Sequence, residues 1–467
     1  MDDGVLMSIR PSQPGSTQHR MSQEERRVLA STLVGTSIEW YDFFIYASAA
    51  AIVFGQLYFQ PLGASSPALT QLISLASIGI SFLFRPLGAI VAGHLGDRLG
   101  RKKMLVLTLI LMGGATAAMG VLPTYSQIGL WAPLLLMLLR IIQGFSAGGE
   151  WGGAALMAVE HAPDHKRGLF GAYPQIGVPI GMLLATGVLA LLSFSLSPAD
   201  FLAWGWRIPF LLSVLLIVVG FFIRRAVDES PVFLELLERR SESSAPLARL
   251  FKSNSKQVLQ AALIFMGNNA AGYVLIAFIA SYATAKLGMD RTQVLLMTTL
   301  AAAAWLVTTL WSGALSDRIG RIRTFQIGYV ALIVWMVPLF LLIDTANIWL
   351  LGLGVVVMTV GLGFAYGPMS ALYAEMFPVE VRYSGVSIGY AIGAILGGAF
   401  AATIAQALMD ATHWSPSVGI YVIVLSLISL AAVSTVRETG GVNLRVRRSA
   451  GDEGSETQND ATITKLA

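Results

Sequence analysis

Five ionisable residues stand inside stretches of sequence that are otherwise apolar: Glu39, Asp42, Arg85, Arg140 and Glu150. A charge near the centre of a membrane-spanning helix costs about 2.5–3.5 kcal/mol on insertion scales, so each of these residues is a candidate for function. The three acids outnumber the two arginines, which leaves one carboxylate without a fixed cation. That carboxylate could carry a proton by moving between an apolar environment and a neighbouring arginine. A static network that only packs the helices is the alternative.

Helical spacing places several polar groups on common faces. Glu39 and Asp42 are three residues apart, and Tyr46 follows one turn later. Gln143 stands three residues after Arg140, whose guanidinium can bind a carboxylate through charge-assisted hydrogen bonds. The resulting candidates are, for proton coupling, Glu39, Asp42 and Glu150; for substrate binding, Arg140, Gln143 and Tyr46; and for the charge network, Arg85.

The second half of the sequence offers uncharged hydrogen-bonding groups instead. Asn268 and Asn269 are adjacent in an apolar stretch, and Tyr273 follows one turn later. Two asparagines would be costly against lipid, so all three residues are candidate substrate contacts. Hydrogen bonding between helices explains the asparagines nearly as well.

The composition indicates which elements position these residues. The chain has 467 residues, 55% of them hydrophobic and 12% charged, whereas soluble domains carry about 25% charged residues. Cysteine is absent, which excludes disulfides and thiolate metal sites. Runs such as 105–122 and 418–436 are long enough to cross about 30 Å of hydrocarbon. The sequence therefore predicts an all-α polytopic membrane protein with about twelve spans, near 31–58, 68–95, 104–122, 130–159, 168–194, 205–223, 257–285, 292–315, 324–343, 347–374, 383–409 and 415–436.

Positive charges fall mainly on one side of these predicted spans. Most of the 31 lysines and arginines lie in alternate loops, counted from the N-terminal tail. Of the remainder, only Lys286 and Arg291 lie in loops of the opposite side. The positive-inside rule then makes both termini cytoplasmic. The same bias accounts for the net charge of +4 without a nucleic-acid partner.

A long polar break divides the predicted spans into two groups of six, as in a duplicated bundle. The predicted segments are a cytoplasmic tail at 1–30, a six-helix bundle at 31–223, a cytoplasmic loop at 224–256, a second six-helix bundle at 257–436 and a cytoplasmic tail at 437–467.

One charged turn occurs in both halves, on the side predicted to be cytoplasmic. Its glycines permit a tight turn, and its aspartates stand at helix ends near clustered cations, as a latch between conformations would require. Basic residues that only set topology are the alternative. The predicted cytoplasmic gate comprises Gly93, Asp97, Arg98, Gly100 and Arg101 in the first turn, and Asp317, Arg318, Gly320 and Arg321, after Gly313, in the second.

With these turns the sequence resembles the major facilitator superfamily, and more narrowly its metabolite:proton symporter family. Carriers of shikimate, α-ketoglutarate, citrate and proline/betaine in that family share four motifs found here. The resemblance implies two six-helix bundles with the first and fourth spans on a central cavity, which favours Glu39, Asp42 and Arg140 as cavity residues. The motifs are Glu39-Trp-Tyr-Asp42-Phe, Arg85-Pro-Leu-Gly88, Arg140-Ile-Ile-Gln143-Gly144-Phe and Gly148-Gly-Glu150-Trp-Gly-Gly153.

We therefore expect a secondary transporter that couples proton entry to the uptake of a small polar metabolite. An organic acid such as shikimate comes first, zwitterionic osmolytes such as proline or glycine betaine come second, and an uncoupled facilitator is a further alternative. The sequence contains no nucleophile, metal or cofactor constellation, so we expect no enzyme and no cofactor, with the proton gradient as the energy source. We expect a monomer in the lipid bilayer of a bacterial plasma (inner) membrane.

Overall fold

Twelve helical segments, named α1 to α12, account for most of the described chain. The computed structural model describes residues 21–59, 67–99, 101–225, 246–378, 381–438 and 444, with only the helical backbone described at 51, 67, 68, 71, 93–99, 101–105, 224 and 246–249. The segments are α1 Gln23–Ala49, α2 Pro67–Leu99, α3 Arg101–Val121, α4 Trp131–Ala147 with Glu150–Glu160, α5 Arg167–Ser195, α6 Arg207–Arg225, α7 Ser255–Tyr273, α8 Arg291–Ile319, α9 Arg321–Ile343, α10 Ile348–Phe364 with Met369–Met376, α11 Arg382–Ala394 with Ala401–Thr412, and α12 Pro416–Ser434. Short helical pieces extend or join them at Ala50–Phe59, Tyr125–Ile128, Asp164–Lys166, Pro198–Asp200, Phe201–Gly205, Pro246–Ser253, Val274–Ile279, Tyr282–Lys286 and Ile395–Ala399.

Length and hydropathy make these segments suitable for crossing a membrane. Within the described ranges, nine helices are long and apolar enough, and two bent pairs bring the number to eleven. The remaining segment, α3, contributes the shorter apolar stretch Val106–Val121. Backbone groups in hydrocarbon must be hydrogen-bonded internally, which helices achieve within each segment. The predicted all-α polytopic fold is confirmed.

When the short pieces that extend the helices are counted with them, the largest shift from a predicted span boundary is at the start of α1, which begins at Gln23. Ser22 and Glu25 form a capping box there: the Glu25 N–H donates to the Ser22 hydroxyl at 3.1 Å, and the Ser22 N–H donates to the Glu25 carboxylate at 2.8 Å. This cap satisfies backbone donors at the helix end and extends the helix beyond the apolar run.

Two helices are broken inside their spans, and the first break lies beside a candidate residue. Helix α4 is interrupted at Gly148 and Gly149, so Glu150 occupies the first turn of its second part. A carboxylate is favoured there by the helix dipole. Helix α10 is interrupted between Phe364 and Met369. The first break places the functional candidate Glu150 at a helix start within the membrane-spanning region.

Helices α2 and α4 meet with their backbones in close approach. A Cβ atom added at Gly144 would lie 1.9 Å from the Ser81 carbonyl oxygen, and one added at Gly88 would lie 1.8 Å from the Phe145 carbonyl oxygen. Only glycine permits this separation, which brings Arg85 of α2 and Arg140 of α4 into the same interior. Helix α5 packs along both α1 and α8 and so joins the two halves of the chain.

We expect Gly144→Ala to lower the thermal stability of the detergent-solubilised protein. The new methyl group must push apart two helix backbones, and overpacking of this kind costs about 1–3 kcal/mol. Gly187→Ala is the matched control, because nothing lies within 4 Å of a Cβ added at that helical position. If the midpoint temperature of thermal unfolding falls equally in both variants, the close approach of α2 and α4 is contradicted.

Candidate functional site

All five charged candidates of the first half are fully buried and lie within one region, which we call the charge layer: Glu39, Asp42, Arg85, Arg140 and Glu150. They come from α1, α2 and the two parts of α4. Buried charges are stable only with partners, so the contacts of each one indicate what it can do.

Arg85 and Glu39 form an ion pair between α2 and α1, with 3.5 Å between Arg85 Nη2 and Glu39 Oε1. The guanidinium also lies over two rings, 4.2 Å from the centre of Phe43 and 4.6 Å from the centre of Phe82. A planar cation suits an aromatic slot of this kind. This pair therefore has both of its charges compensated within the protein.

Asp42 has a different environment. Its Oδ1 accepts a hydrogen bond of 2.6 Å from the Ser213 hydroxyl of α6, and Thr116 of α3 lies close to the carboxylate. Among the described residues no lysine or arginine lies within ion-pair distance of Asp42. Glu150 accepts a 3.5 Å hydrogen bond from the Thr108 hydroxyl. Asp42 is thus a buried carboxylate that lacks a cation in the described part of the chain.

Arg140 is held by neutral groups. Its Nη1 donates to Gln143 Oε1, its Nη2 donates to the Ile78 carbonyl at 2.9 Å, and the guanidinium lies 3.8 Å from the centre of the Tyr46 ring. Gln143 Nε2 in turn donates to the Thr116 hydroxyl at 2.9 Å. Gln143 and Thr116 therefore connect Arg140 with the surroundings of Asp42. The Nε of Arg140 has no hydrogen-bond partner in the described structure.

The central cavity lies where the two halves meet, and no charged side chain lines it among the described residues. In this conformation the volume of the cavity is about 10 Å³, which is room for about one water molecule. The polar groups on its wall that have no hydrogen-bond partner in the described structure include the indole nitrogens of Trp40 and Trp305 and the hydroxyl of Tyr273. The lining residues are Trp40, Phe44, Val178, Phe265, Asn268, Asn269, Gly272, Tyr273, Ile276, Trp305 and Tyr366.

The asparagines combine the two roles that the sequence left open. Both line the cavity, and both also tie helices together. Asn268 Nδ2 donates to the Leu362 carbonyl of α10 at 2.9 Å, and Asn269 Nδ2 donates to the Ala394 carbonyl of α11 at 3.1 Å. Arg140, Gln143 and Tyr46 lie in the charge layer and not on the cavity wall.

Sequence reasoning missed several residues of this region. Phe265 and Trp305 are single aromatic residues in apolar runs, and the hydroxyl groups of Thr116 and Ser213 carry no charge that would mark them out. A signal for Trp40 existed, because it stands between Glu39 and Asp42 in the quoted motif. The hydroxyl groups became visible only through their contacts.

The second charged turn bridges the two halves at the predicted cytoplasmic ends. The Asp317 carboxylate accepts hydrogen bonds from the N–H groups of Gly168 and Leu169, at 2.8 and 2.9 Å, where α5 begins. Arg321 donates to the same carboxylate at 2.7 Å. A carboxylate at a helix N-terminus is stabilised by the free N–H groups and by the dipole. We call this contact the Asp317 latch.

The other residues of the predicted gate differ in what the structure places there. Gly320 has a φ of 99°, a backbone conformation that favours glycine. Arg318 is exposed. The first-turn candidates lie outside the part of the chain whose side chains are described: Gly93, Asp97, Arg98, Gly100 and Arg101.

Further contacts close the same end. The Arg382 and Glu160 side chains lie 3.7 Å apart, and the Tyr383 hydroxyl donates to the Gly149 carbonyl at 2.8 Å. Trp151 of α4 stacks on Tyr390 of α11, with 3.8 Å between ring centres and 11° between planes. The two halves are therefore joined from the latch inward to the central cavity.

Comparison with known proteins agrees with this architecture. The family profile described as Major Facilitator Superfamily matches residues 32–391 and 262–453. The proton:xylose symporter XylE, in a structure bound to 6-bromo-6-deoxy-D-glucose, superposes with a TM-score of 0.74 at 17% sequence identity, covering 90% of this chain and 98% of that one. At this identity the likeness concerns the fold.

Three curated relatives cover most of the chain. The inner membrane metabolite transport protein YhjE of Escherichia coli (strain K12) is 39% identical over 88% of this chain and 94% of its own. The shikimate transporter of the same organism is 35% identical, with coverage of 94% and 99%. Its proline/betaine transporter is 32% identical, with coverage of 90% and 85%.

We expect Asp317→Asn to open the latch end more often. Loss of the charge removes about 1 kcal/mol of helix-dipole and ion-pair stabilisation, or about a fivefold change in the open population. The natural chain has no cysteine, so Ser370→Cys, a buried position beside Gly171 of α5, can report opening through its rate of thiol labelling. Labelling should accelerate in Asp317→Asn and stay unchanged in Asp410→Asn, a matched change at an exposed carboxylate. Equal labelling rates in all three proteins would remove the role given to the latch.

Proposed function

We propose, because this chain belongs to the Major Facilitator Superfamily, that it is a proton-coupled symporter for a small metabolite that carries a carboxylate. It is a metabolite transporter of multi-pass membrane type and not an enzyme. The proposed solute is an organic acid such as shikimate or a related carboxylate, with the proton gradient as the source of energy. The proposed working unit is a monomer in a bacterial inner membrane with both termini in the cytoplasm.

The observation that carries the coupling proposal is the position of Asp42. It is a buried carboxylate that has hydroxyl groups around it and no cation among its described neighbours. Its neutral, protonated form is therefore compatible with the closed conformation. Opening of the bundles would expose it to water, where the proton could leave. Glu39 is a weaker candidate because it already pairs with Arg85.

The chain of polar contacts around Gln143 supports a link between proton and solute. A carboxylate bound to Arg140 would compete with Gln143 for the guanidinium, and Gln143 also donates to Thr116 beside Asp42. The Arg140 Nε–H is available for such a ligand. Because Arg140 stands behind the cavity wall, solute contact requires the α1 and α4 side chains to rearrange as the cavity opens.

We expect Asp42→Asn to abolish accumulation of solute driven by an inward proton gradient in proteoliposomes. Asparagine keeps the hydrogen-bonding shape but cannot release a proton, so counterflow without a gradient should survive at least in part. Asp410→Asn is the matched control and should accumulate solute normally. If Asp42→Asn accumulates solute as well as the unaltered protein, Glu39 or Glu150 becomes the carrier. An unaltered protein that equilibrates solute without accumulating it is an uncoupled facilitator.

A second candidate, the uptake of zwitterionic osmolytes, is favoured by the aromatic character of the central cavity. Trp40, Phe265, Trp305 and Tyr366 line a space that is free of charged side chains among the described residues. Aromatic faces attract quaternary ammonium groups by about 1–2 kcal/mol when water is excluded. A zwitterion could then place its ammonium in the cavity and its carboxylate toward Arg140.

Glycine betaine and 3,3-dimethylbutanoate separate these two candidates, since the pair differs only in a charged nitrogen against a carbon. For a zwitterion transporter we expect glycine betaine to compete at about tenfold lower concentration. Trp305→Leu should reduce that preference, because the variant loses one aromatic wall. Shikimate that competes better than either compound, with no preference between them, would favour the organic-acid candidate.

A further inference from the structure

A second cavity lies between the two halves of the chain, at the end opposite the Asp317 latch. Hydroxyl groups from both halves line it: Ser48 of α1, Thr186 of α5, and Ser281, Thr284 and Thr298 from the second half. The volume of this cavity is about 20 Å³, which is room for one or two water molecules. Ile276 lines this outer cavity and the central cavity alike. One side chain thus forms part of the boundary between the two spaces.

The charged side chain on this outer cavity is Arg291, the first residue of α8. Its guanidinium lies 4.0 Å from the centre of the Phe201 ring, which belongs to the first half of the chain. Its Nε and Nη2 are buried and have no hydrogen-bond partner in the described structure. Among the described residues no carboxylate lies within ion-pair distance. The neighbouring Asp290 is exposed, and its side chain caps α8 by accepting the Gln293 N–H at 2.9 Å.

A partly buried cation without a counter-ion is costly, and an anion would compensate it. The charge bias of the sequence makes the position more notable, because Lys286 and Arg291 are the two cations that the sequence predicts in loops of the side with few positive charges. Lys286 is exposed, so its charge is solvated by water. Arg291 differs from it by facing a cavity between the two halves.

We infer that the outer cavity is an anion-binding site in which Arg291 holds a small carboxylate. The hydroxyl groups around Arg291 supply polar surface. The Ile276 side chain, which borders both cavities, places the bound group close to the central cavity. That the natural ligand is the transported solute, held there before it reaches the central cavity, rests on the proposed function. The presence of the anion site itself does not.

Thiol labelling tests the site directly on purified protein in detergent. Thr284→Cys adds a single thiol to the cavity of a chain that otherwise has none, and N-ethylmaleimide, which is uncharged, labels it. We expect acetate to slow the labelling by about fivefold at saturation, whereas acetamide, its uncharged counterpart, should have little effect. In the Arg291→Gln background the protection by acetate should disappear. In the Lys286→Gln background, which removes a charge at the same end, it should remain.

Several outcomes would overturn the inference. Acetamide that protects as well as acetate would show that the site does not select an anion. Protection that survives in Arg291→Gln would place the anion elsewhere, and protection lost equally in Lys286→Gln would assign it to general surface charge. If Arg291→Gln does not give monodisperse protein, Arg291→Lys replaces it: loss of the planar fork should weaken acetate protection at least threefold, and an unchanged affinity would overturn the inference. Since acetate binding is measured without transport, a failure of proton coupling would leave these results unaffected.

Discussion

The cost of a charge in an apolar interior is the constraint on which the rest of this structure depends. For Arg85, this cost is offset by the ion pair with Glu39 and by contact with the rings of Phe43 and Phe82. Arg140 meets it with backbone, amide and aromatic contacts. Asp42 meets it with the hydroxyl of Ser213 and no described cation. These unequal solutions separate an ion pair, Arg85 with Glu39, from two groups that have no oppositely charged partner among the described residues.

Close backbone approach makes those solutions possible. Gly144 and Gly88 let α2 and α4 touch, so that two arginines of different helices share one interior. A similar approach occurs between the halves, where a Cβ added at Gly168 would lie 2.3 Å from the Ser316 hydroxyl. The Asp317 carboxylate can therefore reach the N–H groups at the start of α5. Small residues thus fix both the charge layer and the latch.

The two cavities lie on one path through the interface between the halves. The latch closes one end, the aromatic central cavity lies inward of the Trp151–Tyr390 stack, and the outer cavity lies beyond Ile276. Neither cavity in this conformation is larger than a few water molecules. Solute passage therefore requires relative movement of the halves, and the contacts that must break are the inter-half hydrogen bonds and stacks described above.

The sequence by itself determined the fold class, because the length of each apolar run and the low charge content permit only membrane-spanning helices. It also marked the charged residues of the interior, since a charge stands out in an apolar run. It could not assign partners: that Glu39 meets Arg85, or that Ser213 meets Asp42, depends on how separate helices pack. The cavity walls were harder still to predict, because Phe265 and Trp305 look like ordinary apolar residues until the tertiary structure shows which space they face. The sequence marked Arg291 as an exception to the charge bias, but only the structure showed that its side chain lines a cavity between the two halves.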